Sequence, residues 1–497
     1  MNSRTISIFI ITLFISAGIA AQGLDIKALV GKAPFTMSYF AKPVFKDARY
    51  LITDYGAKGD AVTLNTKAIN DAIKACSGNG GGMVIVPKGI WLTGPVELLS
   101  NVNFHLEEGS LLQFTGDHTQ YPIISNGMNA SSYTTASPIY AYNAENIAVT
   151  GLGIIDGAGE TWRPVKKDKV TEQQWNAITK TGILSTNGKV WWPNAAALNG
   201  EAYIKSLSGL NPRPSAIDYL PAREYLRPYM VYFVKCKNVL LQEVTLRNSP
   251  KFVFYPNRCS NLIMDAVNVY NDWWAQNGDG IDISACKNVI IYKCNVNAGD
   301  DGICMKSSGG NTGGAALENI IIAGCTVLRA HGGFVIGSNT DGGMKNIYVT
   351  DCFFSGTDVG VRVKSNSGRG GLVSDIYIDH IRMKHIVHES ILFTTYYEDV
   401  PAGKALKDVN TKNNTKIPEF TRFYISDIQC DGAGQAISVT GLPQMPAHHI
   451  YFTNLDIRSD KGFECTDASD LVLKQVTIKC VGKTFKTNGC KNILIGE

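Results

Sequence analysis

Four short polar clusters follow one another along this chain of 497 residues: Asp279 in NGDGID, Asp300 and Asp301 in GDDG, His331 in HGGFVIGS, and Arg362 with Lys364 in GVRVKS. Three carboxylates gathered at one patch repel one another, and the repulsion keeps a proton on one of them near neutral pH. An acid and a base then arise from one residue type. Hydrolysis of a glycosidic bond needs such a pair, one carboxylic acid to protonate the leaving oxygen and one carboxylate to activate water or attack. In Arg362-Val363-Lys364 the alternation of a strand puts both cations on one side and Val363 on the other. Arginine can grip a carboxylate with two parallel hydrogen bonds, so cations beside the acids suit a sugar that carries its own carboxylate. Taken singly, each cluster reads as an ordinary Gly-Asp-Gly turn or a salt-bridge ladder. The glycines flanking the acids let the backbone turn and approach a ligand closely.

What would bring residues so far apart in sequence to one place is a repeat. KNVLLQEVTL from Lys237, SNLIMDAVNV from Ser260, KNVIIYKCNV from Lys287, ENIIIAGCTV from Glu318, KNIYVTDCFF from Lys345 and SDIYIDHIRM from Ser374 share one outline, with weaker copies from Arg422, His448, Ser469 and Lys491. Each opens on a polar residue, usually followed by Asn, and continues with alternating β-branched residues, a strand signature. The Asn-type slot falls at 238, 261, 288, 319, 346 and 375, a period of 23 to 31 residues. Short strands at that period, without an amphipathic helix, predict a solenoid whose coils bury their apolar faces against their neighbours. The expected fold is all-β, a right-handed parallel β-helix (a single-stranded solenoid) with a short N-terminal capping helix. Stacking then places the four clusters side by side.

Six residues after the Asn slot stand Val244, Val267, Cys294, Cys325, Cys352 and Ile381, an inward position. Parallel strands about 4.8 Å apart hold such side chains too parallel for disulfide geometry, which predicts buried thiols. The twelve Cys form no paired framework; Cys465, Cys480 and Cys490 are the candidates for pairing.

The first residues, MNSRTISIFIITLFISAGIAAQ, have the layout of a secretory signal over 1–21, with an apolar core too short to span a membrane. The mature chain, 22–497, is expected to be exported to the periplasm or the exterior as one β-helix catalytic domain, with no stable membrane insertion. Solenoids grow along one axis and escape the usual limit on domain size. A helix with Ala68, Ala72, Ile73 and Ala75 on one face, N-capped by Asn65 or Thr66, would close the open end of the solenoid. Residues 161–228 and about 399–420 break the repeat as insertions, which in solenoids emerge on one face and shape the binding surface. A formal charge of +4, with scattered Lys and Arg, excludes a nucleic-acid partner and is compatible with an acidic polymer.

The ordered set NGDGID, GDDG, HGGFVIGS and GVRVKS, with DYGAKGD from Asp54, resembles the polygalacturonases of glycoside hydrolase family 28 over most of the mature chain. The resemblance implies a right-handed parallel β-helix and hydrolysis of α-1,4-linked galacturonic acid in pectin with inversion, without metal or other cofactor. Carried over by position, Asp300 is the general acid, and Asp279 and Asp301 hold the attacking water. Arg362 and Lys364 bind the uronate carboxylate. Asn277, His331 and Tyr397 complete the expected substrate site, and Tyr396, Trp273 and Trp274 stand close enough in sequence to join it or to be core. Inversion calls for acid and base roughly 6.5 to 9.5 Å apart.

The insertion before Pro228 could wall off one end of a cleft and leave a pocket, so exo action is the expectation, by a monomer on a pectic polysaccharide or oligogalacturonide. Competing readings are hydrolysis of a rhamnogalacturonan or xylogalacturonan backbone, a pectate-lyase-type β-elimination using Ca²⁺, and a non-catalytic carbohydrate-binding solenoid. Binding alone gives no reason to set three acids against an acidic polymer.

Overall fold

A computed structural model describes residues 23–128, 132–309, 314–397 and 416–496. The leader at 1–21 and most of the second insertion, 399–420, lie outside the described residues. The chain winds as a right-handed parallel β-helix, each coil pairing in parallel with those below and above it. Its strands fall into three columns. The first runs through Lys237–Gln242, Ser260–Asp265, Lys287–Tyr292, Leu317–Ala323 and Met344–Thr350, and the second through Asn268–Tyr270, Asn295–Asn297, Thr326–Leu328 and Phe353–Ser355. The third, which carries the polar clusters, runs through Phe254–Asn257, Ile281–Ser284, Asp301–Lys306, Gly332–Ile336 and Val361–Lys364.

The Asn slot has a double reason. Asn146, Asn238, Asn261, Asn288, Asn319 and Asn346 all have left-handed backbone with φ between 54° and 61°, a conformation asparagine tolerates better than most residues. Each side-chain amide also donates to the Asn one coil earlier, at 3.0 Å from Asn238 to Asn146 and Asn261 to Asn238, and 3.0 to 3.2 Å along the next three steps. The slot thus turns every coil at the same place and ties it to its neighbour. Val244, Val267, Cys294, Cys325, Cys352 and Ile381 are buried in one continuous core, the three Cys as free thiols. A second thiol stack, Cys236, Cys259 and Cys286, sits just before the first column, where the Cys236 amide donates to Cys259 Sγ at 3.4 Å and the Cys259 amide to Cys286 Sγ at 3.3 Å. Cys465, Cys480 and Cys490, the candidates for pairing, are likewise unbridged. Cys490 Sγ lies 3.1 Å from Cys465 Sγ as a thiol contact.

Among the described residues two α-helices precede the main stack, α1 (Ile26–Lys32) and α2 (Thr66–Gly78). Helix α2 is the expected cap, burying Ala68, Ile69, Ala72, Ile73 and Cys76 against the first coils. Asn65 stands at its N-cap position, but the side chain does not cap it. That amide instead bonds the backbone of Lys58, Thr63 and Leu92, fastening the loop to the coil. The sequence reading missed α1. It and the strand-less segment after it place Ile26, Met37 and Phe40 on Leu240, Ile263, Ile290 and Ile321, which point outward from the first column. The insertion is built from a three-stranded antiparallel sheet (Val165–Lys166, Val190–Trp192, Ile183–Leu184) and helices α3 (Glu172–Ile178) and α4 (Ala195–Leu207), around a satellite core of Val165, Trp175 and Trp191. Among the described residues no helix is long and apolar enough to cross a membrane.

The amide ladder makes a testable demand. Asn288→Ala loses two ladder bonds and meets the left-handed penalty, and should cost about 2 to 4 kcal/mol in chemical denaturation, whereas Asn288→Gly, free of that penalty, should cost about 1 to 2 kcal/mol. Equal losses in the two variants would show that the backbone conformation contributes nothing.

Candidate active site

Register along the third column does what the repeat promised. Asp301 pairs with Gly332, Ile281 with Ile303, Val335 with Arg362 and Ile336 with Val363, so adjacent coils set the four clusters next to one another. Oxygen atoms of Asp279, Asp300 and Asp301 come within 4.8 Å of one another. Asp279 and Asp301 are buried at 3% and 2% exposure, while Asp300 stands half-buried at the rim. The nearest carboxylate oxygens are thus closer than the separation of about 6.5 to 9.5 Å that inversion usually shows.

The glycines of these motifs serve the stacking. A Cβ on Gly280 would lie 2.7 Å from Gly302 O, one on Gly302 2.8 Å from Gly332 O, and one on Gly333 2.8 Å from Gly360 O. Backbone of one coil therefore packs directly on backbone of the next beneath the acids. Close approach of coil to coil, more than approach to a ligand, explains these positions.

The charges are interleaved. Lys364 Nζ donates to Asp301 Oδ2 at 2.7 Å and Arg362 Nη1 lies 3.6 Å from Asp301 Oδ1, with Val363 turned into the core. Burial alone would raise the Asp301 pKa, but Lys364, Arg362 and Lys306 overcome it and hold the carboxyl well below its usual range. Asp279 goes the other way. Burial, then the neighbouring Asp282 and Asp300, push its pKa well up against the pull of Lys306. Asp279 Oδ1 and Asp301 Oδ1 are both buried without a hydrogen-bond partner in the protein.

His331 Nδ1 lies 3.0 Å from Asp300 Oδ1. Lys169 Nζ lies 2.7 Å from His331 Nε2, and an ammonium only donates. Nε2 is therefore the acceptor, and Nδ1 carries the proton that it donates to Asp300. Lys169 comes from the insertion and rests 3.7 Å over the ring of Trp273, which meets His331 edge-on at 6.0 Å. Trp274, the next residue, packs instead on the insertion's satellite core. Tyr397 is 38% exposed and caps the cation pair, its ring 4.6 Å from Lys364 Nζ and 5.5 Å from Arg362 Cζ. Tyr396 is buried, the core alternative. Asn277 has left-handed backbone and accepts from Arg227 Nη2 at 2.9 Å.

Several members of the site escaped the sequence reading. Lys306 Nζ lies 2.7 Å from Asp282 and 3.3 Å from Asp279, both buried. Burial works against its charge, yet Asp282, Cys304 and Asp279 raise its pKa well above the usual value. Asp282 and Lys306 do stand inside the motif stretches NGDGIDI and GDDGICMKS, where strand alternation was the available signal. Lys169 and Arg227 lie in non-repeating sequence and gave none. A cluster of three carboxylates could hold a hard divalent cation. Here Lys306, Lys364 and Arg362 already occupy the counter-ion positions around those acids, so the donor set does not fit a resident metal.

Beside the acids, a cavity of 540 Å³ opens between the insertion and the coils that carry Tyr229, Lys251 and Asn277. Pro164, Lys166, Val190, Trp192 and Tyr225 of the insertion form its outer wall.

The chain has relatives. The chain is 24% identical over 468 residues to a probable polygalacturonase of Vitis vinifera, covering 90% of this chain and 80% of that one. It is 25% identical over 463 residues to an exo-poly-alpha-D-galacturonosidase of Dickeya chrysanthemi, covering 89% of this chain and 73% of that one. Among solved structures it resembles an exopolygalacturonase of Thermotoga maritima, with a TM-score of 0.69 at 24% identity over 95% of both chains. A family 28 exopolygalacturonase of Yersinia enterocolitica gives a TM-score of 0.71 at 22% identity, over 90% of this chain and 78% of that one. A model described as rhamnogalacturonase A/epimerase, pectate lyase-like, matches residues 51–183, and the model of the glycosyl hydrolases family 28 matches residues 222–480, the stretch that holds every acid of the site. The chain is a glycoside hydrolase and belongs to family 28.

Proposed function

We propose that the protein hydrolyses α-1,4-galacturonosyl linkages of polygalacturonate from a chain end, as an exported pectin-degrading enzyme. The observation that carries this reading is the meeting of three carboxylates from adjacent coils, within 4.8 Å, beside two strand-borne cations. The proton retained by so crowded a group belongs to the cluster as a whole. Asp300, at the rim, delivers it to the leaving oxygen, with one carboxyl oxygen fixed by His331 Nδ1–H. Asp301, kept ionised by Lys364 and Arg362, takes the proton of the attacking water, and Asp279 holds that water from the other side. A water bonded at about 2.8 Å to each of two carboxylates spans up to about 5.6 Å, so the short spacing accommodates it.

Short spacing is also the mark of retaining enzymes, in which a carboxylate attacks the sugar. Neither buried acid suits that task here. Asp279 is biased toward its neutral form, and Asp301 is bound to an ammonium at 2.7 Å. Inversion is therefore the stereochemistry the site favours. Arg362, half-buried at the cleft under Tyr397, grips the uronate carboxylate, while Lys364 chiefly serves Asp301. Exo action rests on the insertion, whose sheet and helix α4 close the cavity on one side of the acids.

Digestion of polygalacturonate followed by product size should give monomer or a short oligomer from the first time point; a ladder of intermediate lengths would mean endo action. Proton NMR of the first product should show the β-anomer, and an α-anomer would assign a covalent intermediate to one of the buried acids. Ultraviolet-absorbing products that vanish with a chelator would replace hydrolysis by elimination. Asp300→Asn should lower kcat by about 100- to 10,000-fold with the fold intact by circular dichroism. In Lys364→Ala, Asp301 loses its main counter-ion and its pKa rises, so the acid limb of the kcat/KM profile should move to higher pH, with a loss of about 3 to 5 kcal/mol in stability. An unmoved acid limb would show that Lys364 does not govern Asp301.

A further inference from the structure

The cavity beside the acids holds a cation that the reaction so far described does not use. Lys251 sits half-buried on its floor, its ammonium 4.9 Å from the Tyr229 ring and 5.5 Å from the Phe252 ring. Among the described residues it forms no ion pair, and its ammonium makes no hydrogen bond. Its neighbours differ: Lys306 and Lys364 each have a carboxylate oxygen at 2.7 Å, and Arg227 is committed to Gln276 O at 2.8 Å and Asn277 Oδ1 at 2.9 Å. A charge taken from water without a partner is costly. Burial and the adjacent Arg227 accordingly push the Lys251 pKa down to about 8, against a longer-range pull from Asp279 and Asp282. An anion in the cavity would relieve that cost.

The lining agrees with an anionic sugar. Lys166 of the insertion joins Lys251 and Arg227 around the cavity, and Glu201, the one acid among its described lining residues, is paired to Lys205 at 2.7 Å. Tyr225, Tyr229 and Trp192 supply flat apolar surface for a pyranose ring. A volume of 540 Å³ falls within the range of about 300 to 1,000 Å³ usual for small-ligand sites. Asn277 belongs both to this lining and to the NGDGID motif, so an occupant of the cavity would be continuous with a sugar lying over Asp279.

We infer that this cavity is a second uronate subsite, in which Lys251 is the counter-ion of the carboxylate of a galacturonic acid residue on the far side of Asp279 from Arg362. The inference rests on the hydrolase reading above for its substrate. It makes a free acid at that position a requirement for tight binding, so a methyl-esterified residue there is held poorly.

The test compares Lys251→Met and Lys251→Arg with the wild-type protein on trigalacturonate at pH 6, at low ionic strength. Loss of a charge-assisted contact should raise KM by roughly 10- to 100-fold in Lys251→Met, with kcat within about twofold and the acid limb of the pH profile unmoved, and Lys251→Arg should recover most of the loss. A fall in kcat with a displaced acid limb would overturn the inference, because Lys251 would then act through Asp279. An unchanged KM would overturn it as well. Calorimetry separates its failure from that of the hydrolase reading: on the Asp300→Asn background, digalacturonate should bind at least about tenfold more weakly once Lys251→Met is added, whether or not the wild-type protein cleaves polygalacturonate. Equal affinity in the two backgrounds would leave Lys251 a solvated cation and the cavity without this role.

Discussion

Parallel hydrogen bonding between successive coils, in a register that does not slip, is what the rest of this molecule depends on. A one-residue slip on a strand turns every side chain to the opposite face. Along Asp301–Lys306 and Val361–Lys364 it would drive the cations inward and Val363 out. Two devices hold the register. The asparagine ladder fixes where each coil turns, and glycines beneath the acids let backbone meet backbone with no side chain between. Catalytic geometry is here a by-product of stacking geometry.

Around that register the electrostatics divide the acids by environment. Asp279, Asp282 and Asp301 are all buried, yet Asp301 is drawn down by Lys364 and Arg362 while Asp279 is driven up by burial and its acidic neighbours. Removing a charge from such a group exposes its partner to the full cost of burial, so each ionised member is held in place by the others. The half-buried Asp300 stands apart, governed by His331 and, through it, by Lys169.

Much of this was legible in the sequence, because a solenoid converts spacing along the chain into position in space. The Asn slot, the inward Cys and Val positions and the side of the strand taken by Arg362 and Lys364 all follow from periods of one repeat and of two residues. The reading weakened wherever that conversion fails. Lys169, Arg227 and helix α1 belong to segments with no period, so nothing in their spacing says which coil they touch. Asp282 and Lys306 lie within the motif stretches, yet a buried ion pair and a surface charge look the same in one dimension, so alternation alone does not single them out. Sequence assigns the glycines to turning and ligand approach, and the close packing of Gly280, Gly302 and Gly333 on carbonyls and apolar side chains around them is apparent only once the coils are stacked.

Adjacent tryptophans carry one more implication. Trp274 anchors the insertion's small core to the coil of Asp279, and Trp273 on the same coil supports the lysine that orients His331. Under the proposed mechanism, the wall of the cavity is thereby mechanically joined to the imidazole that holds the proposed general acid. Remodelling that wall to admit a longer or branched chain would disturb the imidazole at the same stroke, so breadth of diet and speed of cleavage are traits that this architecture trades together.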